Sequence, residues 1–124
     1  MCKASKYLSE LESLTTRIHN DYEKLCKKQS HYDKLLTEKY HQLENAKFNA
    51  CEGYYHAKDM QEILRKRRIV KGERHKLDIL YQSLKNQNIS SVISKTRKGI
   101  DQSVNSGNKF IGDWQHDYSI EELI

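Results

Sequence analysis

Apolar and small side chains recur at alternating three- and four-residue steps through the first third of the chain. They are Leu8, Leu11, Thr15, Ile18, Tyr22, Leu25, Tyr32, Leu36, Leu43 and Ala46, with Gln29 and Lys39 as interruptions. A heptad stripe held over about five repeats describes a long helix with a narrow coiled-coil seam; no strand shares that period. Little in the chain would punctuate such a helix. Among 124 residues there is no proline and there are five glycines, so the commonest helix breakers are nearly absent. Ser5 or Ser9 is placed to cap the start.

The stripe then loses phase. Continued past Ala50, the same register would set Gly53, Ala57, Leu64, Arg67 and Lys71 on the seam, which is a poor one. A second frame restores it: Met60, Ile63, Arg67, Val70, Arg74, Leu77, Tyr81 and Leu84. Between the frames, Asn49-Ala50-Cys51-Glu52 has the form of a capping box. The pattern therefore predicts helix one over 4–45, a short turn near Asn45–Phe48 and helix two over 50–86, folded as a long antiparallel hairpin. One continuous helix of about 80 residues, paired with another chain, is the alternative.

Beyond Leu84 the texture changes. Ile89, Val92, Ile93, Ile100 and Val104 keep helical spacing, which predicts a short helix over 89–104, with Gly107 and Gly112 ending the pattern. Ser119-Ile120-Glu121-Glu122 could cap one last turn. The expected fold is thus all-α: a hairpin over 1–86, and over 87–124 a partly helical tail, loosely ordered or docked through Phe110, Trp114 and Tyr118.

Composition fits long thin elements better than a layered core. Hydrophobic residues make up 36% and charged residues 31%, against roughly 45–50% apolar in an average globular domain. Three widely spaced cysteines, Cys2, Cys26 and Cys51, form no CxxC pair, so neither a zinc site nor a disulfide framework is indicated. No apolar run approaches the roughly 18 residues needed to span a membrane, and no signal-peptide pattern opens the chain. A cytoplasmic protein without membrane contact is expected, and the Asn88-Ile89-Ser90 sequon then carries no meaning.

The charge is +5 and sits unevenly. Residues 48–86 hold nine Lys/Arg against five Asp/Glu, whereas 1–47 hold nine against seven and 87–124 four against five. Seven basic residues fall between Arg65 and Lys76, offset only by Glu73. Successive helical residues turn by about 100°, so Arg65, Lys66, Arg67 and Arg68 cannot all face one ligand. Arg67 and Arg74 fall on the seam. With the chain folded at residue 47, Arg67 is expected near Gln29 and Arg74 near Asp21 and Tyr22, as polar pairs that fix the pairing. Arg65, Lys66, Arg68, Lys71 and Lys76 are left facing outward, as a solvated face, a protein-docking face or a phosphate-tracking face. No stacking aromatics or glycine-rich phosphate loop accompany them.

Catalytic and cofactor chemistry finds no support. The six histidines, at 19, 31, 41, 56, 75 and 116, form no HxH or HxxxH pair, and no nucleophile elbow, P-loop or dinucleotide fingerprint is present. Tyr54-Tyr55-His56 is read as aromatic packing beside the turn. Tyr7, Leu14, Leu35 and Tyr40 on helix one lie off the seam, as do Leu64, Ile69, Ile79 and Leu80 on helix two. That surplus predicts a second contact surface, for self-association or for a partner.

The segment FNACEGYYHAKDMQEILRKRRIVKGERHKLDILYQSL, residues 48–84, resembles small helical proteins encoded by bacteriophages of Gram-positive bacteria. Their Leu-x-x-Arg-Arg-x-x-Lys-x-Glu core is matched by Leu64, Arg67, Arg68, Lys71 and Glu73. The resemblance implies a phage setting and the host cytoplasm more than an activity, because those proteins are mostly of unassigned function. The ending DWQHDYSIEELI is acidic and aromatic where theirs is basic. The function expected is a non-enzymatic interaction factor that binds and modulates or inhibits a host protein, with homo-oligomerisation. Arg65, Lys66, Arg68, Lys71, Lys76, Phe110, Trp114 and Tyr118 are its candidate partner-binding residues. The rivals are a nucleic-acid-binding accessory protein and a structural coiled-coil scaffold.

Overall fold

The computed structural model describes residues 2–110 and 118–123, the side chains of 108–110 excepted. The protein is all-α, with a hairpin of two long helices. Among the described residues four helices follow one another: α1 (Lys3–Asn45), α2 (Ala50–Asn86), α3 (Ile89–Phe110) and the short α4 (Ile120–Leu123). Two compact units result, Leu14–Gln87 and Met1–Ser13 with Asn88–Ile124. The heptad pattern groups residues 1–86 in one hairpin, yet the first thirteen residues go with the C-terminal part. At 43 residues α1 is longer than α2 at 37, so its first turns have no α2 residues left to pair with.

In the Leu14–Gln87 unit, α1 and α2 pack antiparallel along the two stripes read from the sequence. From Thr15 to Leu43 the seam positions of α1 are half-buried, except Lys39, which is buried. Met60, Ile63, Arg67, Val70, Arg74, Leu77, Tyr81 and Leu84 of α2 are half-buried as well. Cross-helix contacts run in descending order on α1 as they ascend on α2. Lys39 meets His56 and Asp59, Asp33 meets Arg67, Gln29 meets Arg74, and Tyr22 stacks on Tyr81 with ring centroids 4.6 Å apart.

This register differs from the expected one. Arg67 donates to Asp33 rather than lying beside Gln29, and Arg74 donates to Gln29 rather than reaching Asp21 or Tyr22. The cause is the lean of helical side chains toward their own N-terminus. On α2 that direction points back to the turn, so each long arginine reaches α1 residues nearer the turn than its own backbone level.

The turn itself follows the sequence closely. Residues 46–49 join the helices. Asn49, in extended backbone, caps α2 by accepting from the Glu52 N–H at 2.9 Å. Phe48 folds over the first turn of α2, close to Gly53 and 5.2 Å from the His56 ring. The start of α1 departs from expectation. Cys2, not Ser5 or Ser9, occupies the cap: its carbonyl accepts from the Lys6 N–H at 3.1 Å and its Sγ from the Ser5 N–H at 3.4 Å. A thiol is a weak acceptor, which is why a hydroxyl is the better guess from sequence.

In the other unit, Leu8 of α1 and Ile93 of α3 are the buried apolar residues among those described. One helical turn on from each, Glu12 and Arg97 form an ion pair. Leu11, expected on the seam, is exposed. The third helix runs to Phe110 rather than to residue 104, passing through Gly107. A single helical glycine costs only about 1 kcal/mol against alanine, which the surrounding turns outweigh. Ser119 begins α4, its carbonyl accepting from the Glu122 N–H at 3.1 Å and its hydroxyl donating to Glu121 at 2.8 Å.

Asn88 separates α2 from α3 with φ of 53°, in the left-handed region that side chains other than glycine and asparagine resist. Its carbonyl accepts from the N–H groups of Ser91 and Val92. Asn88→Ala is expected to lower stability by about 1 kcal/mol, and Asn88→Gly to leave it unchanged. Urea unfolding followed by helical circular dichroism reads both; an alanine variant as stable as the parent would remove the strain ascribed to this residue.

Candidate interaction surface

The basic stretch divides into three groups once its residues are placed on α2. Arg67 and Arg74 turn into the hairpin, where Asp33 and Gln29 each accept at 2.5 Å. Lys66 and Lys76 are held by acids of their own helix, Glu62 at 2.7 Å and Glu73 at 3.4 Å. The Glu62 carboxylate raises the Lys66 pKa. Arg65, Arg68 and Lys71 are exposed, with no ion pair or hydrogen bond among the described residues. Spaced by three, they make a short slanted row across about 120° of the helix. Of five outward cations expected from the sequence, two are therefore partly neutralised locally and three present their charge to solvent.

A groove opens on one side of the hairpin. Its floor is Leu25 of α1 with Leu77 and Leu80 of α2, and its rim is Asp21 and Lys24 on α1 with Glu73 and Lys76 on α2. The groove encloses about 590 Å³. Leu80 is 45% exposed at its lip, and Ile69, 69% exposed, lies three turns before it on α2. Across Leu14–Gln87 no apolar side chain is buried; the one buried residue is Lys39. Its ammonium donates to the Gln42 side-chain Oε1 at 3.3 Å and lies 2.9 Å from His56 Nδ1 and 3.4 Å from Asp59. With Lys39 charged, His56 Nδ1 is the acceptor.

Exposed aromatics collect near the turn, a grouping the sequence did not reveal. Tyr40, Phe48, Tyr54 and Tyr55 are all exposed. Tyr54 and Tyr55 contact each other edge to face at 5.5 Å, and the Lys58 ammonium lies 6.0 Å from the Tyr54 ring centre. Packing beside the turn, expected for Tyr54-Tyr55-His56, holds for His56 alone. The tyrosines precede a seam residue by one and two positions, which rotates them by about 100° and 200° out of the interface. Phase, more than propensity, could have found them.

The tail residues proposed from the sequence divide differently. Trp114 and the Phe110 side chain lie outside the described residues. Tyr118 is exposed just before α4. In α4, Glu121 lies 3.9 Å from Lys3 and its pKa is lowered by the Ser119 hydroxyl.

Among the described residues, no group of three or more His, Cys, Asp or Glu side chains could hold a metal, and no helix is long and apolar enough to cross a membrane. Hydrogen bonds from the Ser5 hydroxyl and N–H lower the pKa of the exposed Cys2 thiol. The largest perturbation is at Tyr22, whose hydroxyl donates to the Asp78 carboxylate and lies beside the Cys26 thiol; its pKa is pushed up to about 12.

A raised tyrosine pKa favours the neutral form in the folded state, so this contribution to stability is full below the unfolded value near 10 and is lost as pH climbs through 12. Titration of tyrosinate absorbance is expected to show a late step from Tyr22. Tyr22→Phe should abolish that late step, and Asp78→Asn should move it to lower pH. A late step that survives in Tyr22→Phe would assign it elsewhere.

No protein-family model, curated protein or solved structure matches the chain.

Proposed function

We propose that this chain is a non-enzymatic protein-interaction factor, acting by laying its helical faces on the surface of another protein. One fact carries this reading. The Leu14–Gln87 hairpin buries no apolar side chain, while Leu64, Ile69, Ile79 and Leu80 of α2 and Leu14 and Tyr40 of α1 are exposed. Exposed apolar surface on that scale is characteristic of a contact face. Apolar anchors in such a face supply affinity, and the charges around them discriminate between partners. The exposed tyrosines near the turn are of the residue type enriched at interface hot spots. The resemblance to phage-encoded helical proteins makes a host cytoplasmic protein the partner to seek, one whose activity the bound helices would block or modulate. The acidic, aromatic ending with Trp114 and Tyr118 is a second docking element in this scheme.

The row of Arg65, Arg68 and Lys71 favours a second reading, an accessory protein that tracks a nucleic-acid backbone. Three phosphate contacts give affinity that falls with salt at a log–log slope of about −3, a weak grip compared with six or more contacts. The two readings part in a single experiment. The tagged full chain, incubated with a bacterial lysate with and without nuclease, is expected to retain one host protein in both cases. A chain lacking residues 107–124 should retain less of it. Retention of nucleic acid alone, lost on digestion and steeply salt-dependent, would reverse the order of the two readings.

A further inference from the structure

We infer that the groove face of the hairpin is a self-association interface, covered by the same face of a second copy of this chain. The inference deepens the interaction reading by naming one partner, and it rests on that reading only for the premise that the exposed face is a contact face. The argument begins from the charges on the rim. On α1 an acid precedes a lysine by three residues, Asp21 then Lys24; on α2 the same order recurs, Glu73 then Lys76. Because the two helices run in opposite directions, an acid on one helix sits at the level of a lysine on the other.

Such a rim is complementary to itself. Two copies packed face to face are related by a two-fold axis lying between them, and the axis can run along the helices or across them. With the axis along the helices, Asp21 of one copy falls over Lys76 of the other, and Lys24 over Glu73. With the axis across them, Asp21 falls over Lys24 and Glu73 over Lys76. Either way every rim charge meets its opposite, and the rim carries two of each sign. A face of one sign would call for a partner of the other sign; this one calls for its own copy.

The apolar floor supplies the affinity. Leu25, Leu77 and Leu80 lie between the charges; seven-residue steps from Asp21 reach Leu14 and, past Lys28, Leu35 on α1, and one such step from Lys76 reaches Ile69 on α2. The face spans 22 residues of α1, Leu14 to Leu35, and 12 of α2, Ile69 to Leu80, roughly 33 Å and 18 Å long, and is about 20 Å wide. With a mean length of about 25 Å, two such faces bury roughly 1,000 Å², the threshold of a specific interface. The product is an antiparallel four-helix layer in which half-buried leucines become a core.

The test is the solution mass of the purified full chain, by sedimentation equilibrium across a concentration series and without lysate. A dimer is expected. Leu80→Glu should weaken dimerisation by at least about tenfold, since a charge at the lip would be stranded in an apolar groove. Ile79→Glu, one residue away but facing out of the groove, should leave it unchanged. Lys76→Glu, at the exposed rim and safe for folding, should weaken it too, with Asp21→Lys restoring it for the axis along the helices and Glu73→Lys for the axis across them. A monomeric parent chain overturns the inference, as does a dimer indifferent to both Leu80→Glu and Lys76→Glu, or one that neither second substitution restores. A monomer that still captures a lysate protein would overturn it while leaving the broader interaction reading standing.

Discussion

Three polar side chains inside the α1–α2 seam decide how this protein is put together. Arg67 on Asp33, Arg74 on Gln29 and Lys39 on His56 and Asp59 occupy positions where an ordinary coiled coil would carry leucine or isoleucine. Each costs stability relative to an apolar residue, and exposed or half-exposed ion pairs return at most about 1 kcal/mol. What they impose is register. A slip of one heptad along the hairpin would set Arg67 against Tyr40 or Cys26 and Arg74 against Leu36 or Tyr22, away from the acceptors they now have and in a half-dry seam, a larger penalty than any local gain. The turn, the depth of the groove and the alignment of its rim charges all follow from that fixed register.

The same choice explains why the hairpin is thin. A seam interrupted by long polar side chains cannot close over its apolar residues, so Leu25, Leu36 and Leu77 remain half-buried. Its apolar stripes serve two neighbours at once, the facing helix and whatever covers the groove. The terminal unit is built on the opposite plan, with Leu8 and Ile93 buried and their charged neighbours, Glu12 and Arg97, one turn along.

How much of this was legible beforehand varies with the physics involved. The heptad phases of α1 and α2 could be read residue by residue, because burial in a two-helix seam is almost wholly a matter of phase; even Gln29 and Lys39, as interruptions, lay on it. The Asn49 cap was legible for the same reason: its chemistry is local. The partners of Arg67 and Arg74 were not, because a one-dimensional pattern records where a Cα lies and not which way a long side chain leans. The third helix was cut short at residue 104 because Gly107 was read as a breaker, when its small penalty is shared across a 22-residue helix. The groove escaped notice altogether. It depends on the order of acid and lysine on two segments some fifty residues apart, which only antiparallel pairing sets side by side.

The contacts of the seam also differ in how much chain each must close. Lys39 meets His56 and Asp59 across 17 and 20 residues, Asp33 meets Arg67 across 34, Gln29 meets Arg74 across 45, and His19 meets Tyr81 across 62. Made in isolation, the longest of these would carry the largest entropy penalty. Made in sequence, each adds only 11 to 17 residues to a loop already shut by the contact before it. The hairpin is in this sense a zipper with its slider at Asn49, and such low-separation topologies are the quick ones to form. The same order run backwards places the first fraying at the His19–Tyr81 contact, the farthest of these from the turn.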